Sequence, residues 1–259
     1  MPFPRLMFPR VPWPAFARAF PLGRGKAGGR DRASRPAPRV LDAIAVLLTF
    51  GSGASDVASF TRLGGVFTSV MTGNIAVFGL SLAQGSLSLA LHTLLAVCGY
   101  VLGVAAGARF GWLRTKSGTE DGWPRHIRVT LLAEFALYAG VVAGWEITGS
   151  RPSGVAQYVL LILAACAMGI QSAAVNQMGL RDVSTTYLTG TLTGLVSAIA
   201  RRDGKPVGWR RQFVLLSLLA GATASGLCVA NAPAVVPFLP LLAIGTTTAL
   251  LTLSGARNE

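Results

Sequence analysis

The chain has 259 residues, of which 52% are hydrophobic and only 13% charged, where soluble domains carry roughly a quarter. With a mean hydropathy of +0.55, these figures exclude a disordered chain, a collagen-like chain and an ordinary soluble enzyme, and fit a polytopic membrane protein. The formal charge of +13 arises from 23 Lys and Arg against 10 Asp and Glu; nine of the 23 basic residues precede Val40, and most others lie in short loops between apolar runs. Positive charge retained on the cytoplasmic side is distributed this way, whereas a nucleic-acid surface needs a folded basic face. No nucleic-acid partner is expected.

Residues 1–39 hold eight of the 14 prolines and four glycines. Such a segment buries no core, has no continuous apolar stretch of a secretory signal, and reads as a disordered basic tail against the anionic cytoplasmic leaflet. From residue 40 to about 255, apolar segments follow at roughly 41–60, 63–83, 88–111, 127–147, 155–176, 183–200, 212–231 and 235–254. A spanning helix needs about 20 residues. Segments 63–83 and 183–200 are the weaker ones, rich in Thr, Ser and Gly, as in helices that face protein or water. The expected fold is an all-α integral membrane bundle of six to eight transmembrane segments.

Two halves, about 40–150 and 154–255, look related. The run Val66-Phe67-Thr68-Ser69-Val70-Met71-Thr72-Gly73 aligns with Val183-Ser184-Thr185-Thr186-Tyr187-Leu188-Thr189-Gly190, identical at four of eight positions. Internal symmetry of this sort is common among transporters. Eight plain crossings would place Arg114, Lys116 and Arg125 outside, against the positive-inside tendency. Six net crossings, with inverted halves, would bring them inside. That requires a break within 41–83, for which the glycines at 51, 53, 64 and 65 are candidates.

Several residues could carry chemistry. Ser52, Asp56 and Ser59 share one helical face. A carboxylate at membrane depth is costly and tends to face an interior or a water path. Asp56 therefore reads either as a solute or proton site, or as a solvated interfacial group. Glu134 lies deeper, as a proton-coupling candidate or as a structural bridge to Arg128 or His92. Asp42 and Glu146 fall at helix ends. Thr185, Thr189 and Thr193 recur every fourth residue, as do Thr68 and Thr72, followed by Asn74. Their hydroxyls bind their own helix, glue neighbouring helices, or line a polar site to which Gln171, Asn176 and Gln177 would add. Gly99, Gly103, Gly107 and Gly111 form a stripe that admits a close helix neighbour, as a packing seam or as a homo-oligomer face. Cys98, Cys166 and Cys228 are isolated, two histidines without clustered ligands make no metal site, and no cofactor fingerprint stands in context. The chain is expected not to be an enzyme and to need no cofactor.

These residues resemble a known bacterial family. Asp56-Val57-Ala58-Ser59-Phe60 followed by Gly65-Val66-Phe67-Thr68-Ser69-Val70-Met71-Thr72-Gly73-Asn74 is similar to the signature of the YoaK-like membrane proteins (domain of unknown function 1275). So are Gly169-Ile170-Gln171-Ser172 and Asp182-Val183-Ser184-Thr185-Thr186-Tyr187-Leu188-Thr189-Gly190-Thr191. The resemblance covers about residues 40–255. It implies a multispanning inner-membrane protein and marks Asp56, Phe60, Met71, Thr72, Gly73, Asn74, Gln171, Thr186, Thr189 and Gly190 as motif positions, with no catalytic residue to carry over. The leading expectation is a small-solute permease or exporter. Asp56, Thr72, Asn74, Gln171, Thr186 and Thr189 would contact solute between the halves, and Asp56 and Glu134 would titrate. The alternative is a membrane scaffold or accessory subunit whose Thr and Gly stripes are helix glue.

Overall fold

A computed structural model describes residues 37–116, 122–179, 188–201 and 209–256. Among the described residues eight α-helices follow one another: α1 (Pro38–Arg62), α2 (Met71–Ala83), α3 (Leu87–Lys116), α4 (Gly122–Ile147), α5 (Gly154–Gln177), α6 (Leu188–Arg201), α7 (Trp209–Asn231) and α8 (Phe238–Ala256). A 3-10 turn at Pro233–Val235 precedes α8. No strand occurs among the described residues. Six helices (α1, α3, α4, α5, α7 and α8) are long and apolar enough to cross a bilayer. They present large apolar side chains outward, among them Leu102, Leu132, Leu216 and Leu219. Such surface is stable against lipid rather than water.

The segment expected at 63–83 is not one membrane-length helix. α1 stops at Arg62, where Gly64 and Gly65 turn the chain with φ of 100° and 74°. Side chains rarely adopt that left-handed region, and glycine does so freely. α2 then runs for only 13 residues. Gly51 and Gly53, the other proposed break points, lie inside unbroken helix. There they admit close neighbours: a Cβ on Gly53 would overlap the backbone carbonyl of Leu218.

Three apolar clusters stack along the bundle. The first joins Ile44 and Leu48 of α1, Ile127 and Leu131 of α4, Ala174 of α5, Val214 of α7 and Leu251 of α8. The middle one joins Tyr138 and Val141 of α4, Ala164 and Met168 of α5, and Ile244 of α8. At the far end Ala58, Leu63 and Val66 meet Ala96, Trp145, Leu161 and Val236.

Polar contacts fix the same two ends. At one, Arg210 pairs with Asp42 at 2.8 Å. At the other, Gln157 donates to the Arg62 carbonyl (2.9 Å), Arg62 to the Val229 carbonyl (3.3 Å) and the Trp145 indole to the Pro233 carbonyl (2.9 Å). The end of α1 and the starts of α3 and α5 are thus together, since His92 packs on Gly64 and reaches Gln157. α2 does not return the chain to the opposite end. At that opposite end, Met178 after α5, Leu188 of α6 and Val214 of α7 share the first cluster, so α6 makes no net crossing either. Each half contributes three long helices and one short one.

The halves exchange partners. α3 packs along α5 and α1 along α7, the two most extensive pairs; α4 also packs on α5 and α8 on α1. The first long helix of each half is therefore held by the second and third long helices of the other. Small residues make the approach possible, because glycine lets helix backbones come together. A Cβ on Gly103 would overlap the Cys166 carbonyl, one on Gly169 that of Tyr100, and one on Gly221 that of Phe50. Gly99 and Gly107 lie against Ile162 and Ala173 of α5 in the same seam. The stripe proposed as a homo-oligomer face is thus filled from within the chain.

Candidate functional site

Asp56 sits on the inner face of α1, 6% exposed. Its Oδ1 accepts hydrogen bonds from the Thr68 N–H (2.8 Å), the Thr68 hydroxyl (3.0 Å) and the Ser69 N–H (2.8 Å). Its Oδ2 accepts the Ser69 hydroxyl at 2.6 Å. Charge-assisted bonds of this kind are short and strong. Four donors converge on one carboxylate and hold the 63–70 passage against α1. Asn74 completes the passage from α2: its Oδ1 accepts the Phe67 N–H (2.9 Å) and its Nδ2 donates to the Phe67 carbonyl (2.6 Å). Phe67 stacks on Phe60, with centroids 5.2 Å apart. The motif residues Asp56, Phe60 and Asn74 are thus brought together, and each works on backbone or ring of the same turn.

The other motif threonines do not join them. Thr72 and Thr189 are exposed, and the Thr189 carbonyl accepts the Thr193 hydroxyl (2.9 Å), an in-helix bond. Thr186 lies outside the described residues.

A second polar group lies deeper. Gln171 is 1% exposed and its Nε2 donates to Ser52 Oγ at 2.8 Å and, more weakly, to the Leu48 carbonyl at 3.4 Å. The Ser52 hydroxyl itself donates to Leu48 O (3.1 Å). Because a backbone carbonyl only accepts, the nitrogen of the Gln171 amide belongs on this side and its oxygen on the other. A chain of hydroxyls continues toward Asp56: Tyr138 donates to Ser55 Oγ at 2.9 Å, and Ser55 pairs with Thr68 Oγ1 at 2.9 Å. Tyr138 lies within the electrostatic reach of both Asp56 and Glu134.

Glu134 precedes Tyr138 by one helical turn and is fully buried. Neither carboxylate oxygen accepts a hydrogen bond from a described residue. The bridge to Arg128 or His92 considered from the sequence is not formed. The His92 ring nitrogens instead face the Ser88 carbonyl (2.7 Å) and Gln157 Oε1 (3.3 Å). Removing an ionised carboxylate from water without a partner costs far more than removing a hydrogen-bonded one.

The clusters bracket where these side chains stand. On α4, Glu134 falls between Leu131 of the first cluster and Tyr138 of the middle one; on α5, Gln171 falls between Ala174 and Met168. On α1, Ser52 follows Leu48; on α8, Thr247 falls between Leu251 and Ile244. The spacing in each helix keeps the polar residue on the inward stripe. By register, Ser52, Glu134, Gln171 and Thr247, all buried, thus stand at one depth as a polar layer, one residue from each of four helices, with Ser52 and Gln171 in direct contact. Among the described residues no cluster of three or more His, Cys, Asp or Glu could hold a metal ion. The sequence pointed to Asp56, Glu134 and Gln171. It did not single out Thr247 or Tyr138, whose only signals are their registers with Ile244, Leu251 and Glu134.

Comparison with known proteins agrees with this architecture. Over 156 residues the chain is 31% identical to the UPF0700 transmembrane protein YoaK of Bacillus subtilis (strain 168). The match covers 60% of this chain and 66% of that relative, just under two thirds of its length. No solved structure matches the chain. The family described as protein of unknown function (DUF1275) matches residues 44–252, which take in all or most of each long helix, and the chain belongs to that family.

Proposed function

We propose that this multispanning membrane protein is a small-solute permease or exporter whose path passes between its two halves at the Ser52–Glu134–Gln171–Thr247 layer. The observation that carries the reading is the polar layer itself. Burying unmet polar atoms among apolar helices is costly, and ionisable groups inside a membrane bundle mark paths for ions and solutes. The exchanged packing supports it. With three long helices per half, the halves would run in opposite senses across the bilayer, the arrangement in which one half can rock against the other. In this view Asp56 and Asn74 hold the 63–70 passage beside the path. The exposed Thr72 and Thr189 would meet solute only in another conformation. Positive residues after α3 and before α7 would lie in the cytoplasm with the N-terminal tail.

A scaffold reading draws on one observation: many threonine hydroxyls, including Thr246, Thr247 and Thr248, donate to their own helix. A membrane protein without a path would use them in that way. The two readings separate in intact cells. Metabolite levels inside and outside are compared for cells with the wild-type chain, without it, and with Gln171→Leu present at equal level in the membrane. A permease shifts the ratio for at least one solute, and Gln171→Leu reverts the shift. Indistinguishable profiles in all three overturn the permease reading.

A further inference from the structure

The four residues of the buried layer share an asymmetry of chemistry: what they leave unmet are acceptors. Both Glu134 oxygens and Gln171 Oε1 receive no hydrogen bond from a described residue. The Gln171 amide hydrogens are directed at Ser52 and Leu48. The Ser52 hydroxyl spends its hydrogen on Leu48 O (3.1 Å) and the Thr247 hydroxyl spends its own on Ala243 O (2.8 Å). Each hydroxyl oxygen keeps lone-pair capacity. The layer therefore offers oxygen from α1, α4, α5 and α8, with one formal negative charge. It offers no free hydrogen-bond donor.

An anion or a carbonyl ligand would meet only acceptors here. A divalent ion would leave one positive charge uncompensated in a low-dielectric interior. Soft metals prefer sulfur or imidazole, and hard ions prefer carboxylate, carbonyl and hydroxyl oxygen. A single proton on Glu134 would satisfy one or two of the acceptors, whereas a dehydrated alkali ion uses several oxygens at once. No arginine or lysine among the described residues donates a hydrogen bond to either Glu134 oxygen. The other titratable groups near the layer are Tyr138 on α4 and Asp56 on α1. Asp56 is saturated by four donors, and α8 carries no titratable residue.

We propose that Glu134, Gln171, Ser52 and Thr247 form a binding site for one dehydrated monovalent cation of sodium size. This deepens the permease reading, on which its role as a coupling ion rests; binding itself does not depend on that role. The ion would join α1 and α4 of one half to α5 and α8 of the other, so its arrival and departure would bias how the halves sit.

The test uses the full chain purified in detergent and needs no solute. Thermal unfolding is followed while sodium chloride replaces choline chloride at constant ionic strength, and radioactive sodium binding is measured in parallel. The expected result is a saturable rise in Tm and one bound sodium per chain. Both are lost in Glu134→Gln, and Thr247→Val weakens them by about tenfold, the lower end for altering a metal site's supporting groups. If Glu134→Gln fails to fold, Thr247→Val alone must still shift the midpoint. A Tm indifferent to sodium, a rise that choline reproduces, or an undiminished response in Glu134→Gln each overturns the site. Sodium binding with unchanged cell metabolite profiles would keep the site and remove the permease reading. Altered profiles without sodium binding would do the reverse.

Discussion

The side chain of Asp56 and both donors of Ser69 meet across a gap of 13 residues: the Ser69 hydroxyl reaches Oδ2 at 2.6 Å and its N–H reaches Oδ1 at 2.8 Å. The connection closes the turn between a full-length helix and a short one, and it spends the carboxylate on the protein's own backbone.

Replacement of Asp56 separates anchoring from titration. Asp56→Ala would leave four buried donors unmet, each costing about 1–3 kcal/mol, and is expected to unfold at a much lower temperature. Asp56→Asn keeps an acceptor for the three donors on Oδ1 and turns its amide toward Ser69 Oγ, which can accept. Its cost should stay within about 1 kcal/mol. Thermal unfolding of the two variants in detergent checks the order. Equal, wild-type stability of Asp56→Ala would refute the anchoring role.

The glycine seam gives a second contrast. Gly103→Ala puts a methyl group into the Cys166 carbonyl, so α3 and α5 must separate. Overpacking of this sort costs about 1–3 kcal/mol. Gly79→Ala meets nothing within 4 Å on α2, and helix propensity makes it stabilising by up to about 1 kcal/mol. Unfolding temperatures should therefore move in opposite directions. If the seam instead served a second copy, Gly103→Ala would change the oligomeric state and leave monomer stability alone, which size-exclusion chromatography with light scattering would reveal.

Much of this was legible along the chain. The long apolar runs gave helix positions to within a few residues, because a bilayer demands about 20 apolar residues whatever the tertiary contacts. Glu134 stood out by depth in such a run. The partners were less legible. That Asp56 bonds Thr68 and Ser69 depends on the φ values of Gly64 and Gly65, which sequence permits but does not require. That Thr247 and not Thr246 or Thr248 faces Gln171's layer depends on which stripe of α8 packs inward, and an all-apolar helix carries little pattern to say so. The charge of the loops favoured six net crossings over eight, since short-loop Lys and Arg sense the membrane's sidedness directly.

Sidedness has its own test. Ser86, Ser153 and Ala232 lie in the connections at the end of the bundle marked by Arg62 and Trp145, and Ala37 precedes α1 at the other end. Single cysteines at these positions, in a chain lacking Cys98, Cys166 and Cys228, are treated in intact cells with an impermeant thiol reagent. The first three should label and the fourth should not. Because α3 and α4 between them return the chain to the same side, shielding of both Ser86→Cys and Ser153→Cys would mean that α2 crosses the bilayer.

The turn after α1 supplies a test of coupling between helices. Gly64 and Gly65 both have positive φ, so alanine at either costs backbone strain of about 1 kcal/mol. Only Gly64 has the His92 imidazole where a Cβ would stand; Gly65 has open space. Gly64→Ala must also push His92 off its Ser88 and Gln157 contacts and away from the Tyr158 ring, 4.7 Å between centroids. It should lower the unfolding temperature clearly more than Gly65→Ala does. His92→Ala removes the obstacle. In a double-mutant cycle Gly64→Ala should then cost no more than Gly65→Ala, a non-additivity of about 1 kcal/mol or more between contacting residues. Strict additivity would mean that the turn and α3 are not in contact in the folded protein, and the end-to-end arrangement of α1, α3 and α5 derived from that contact would fail with it.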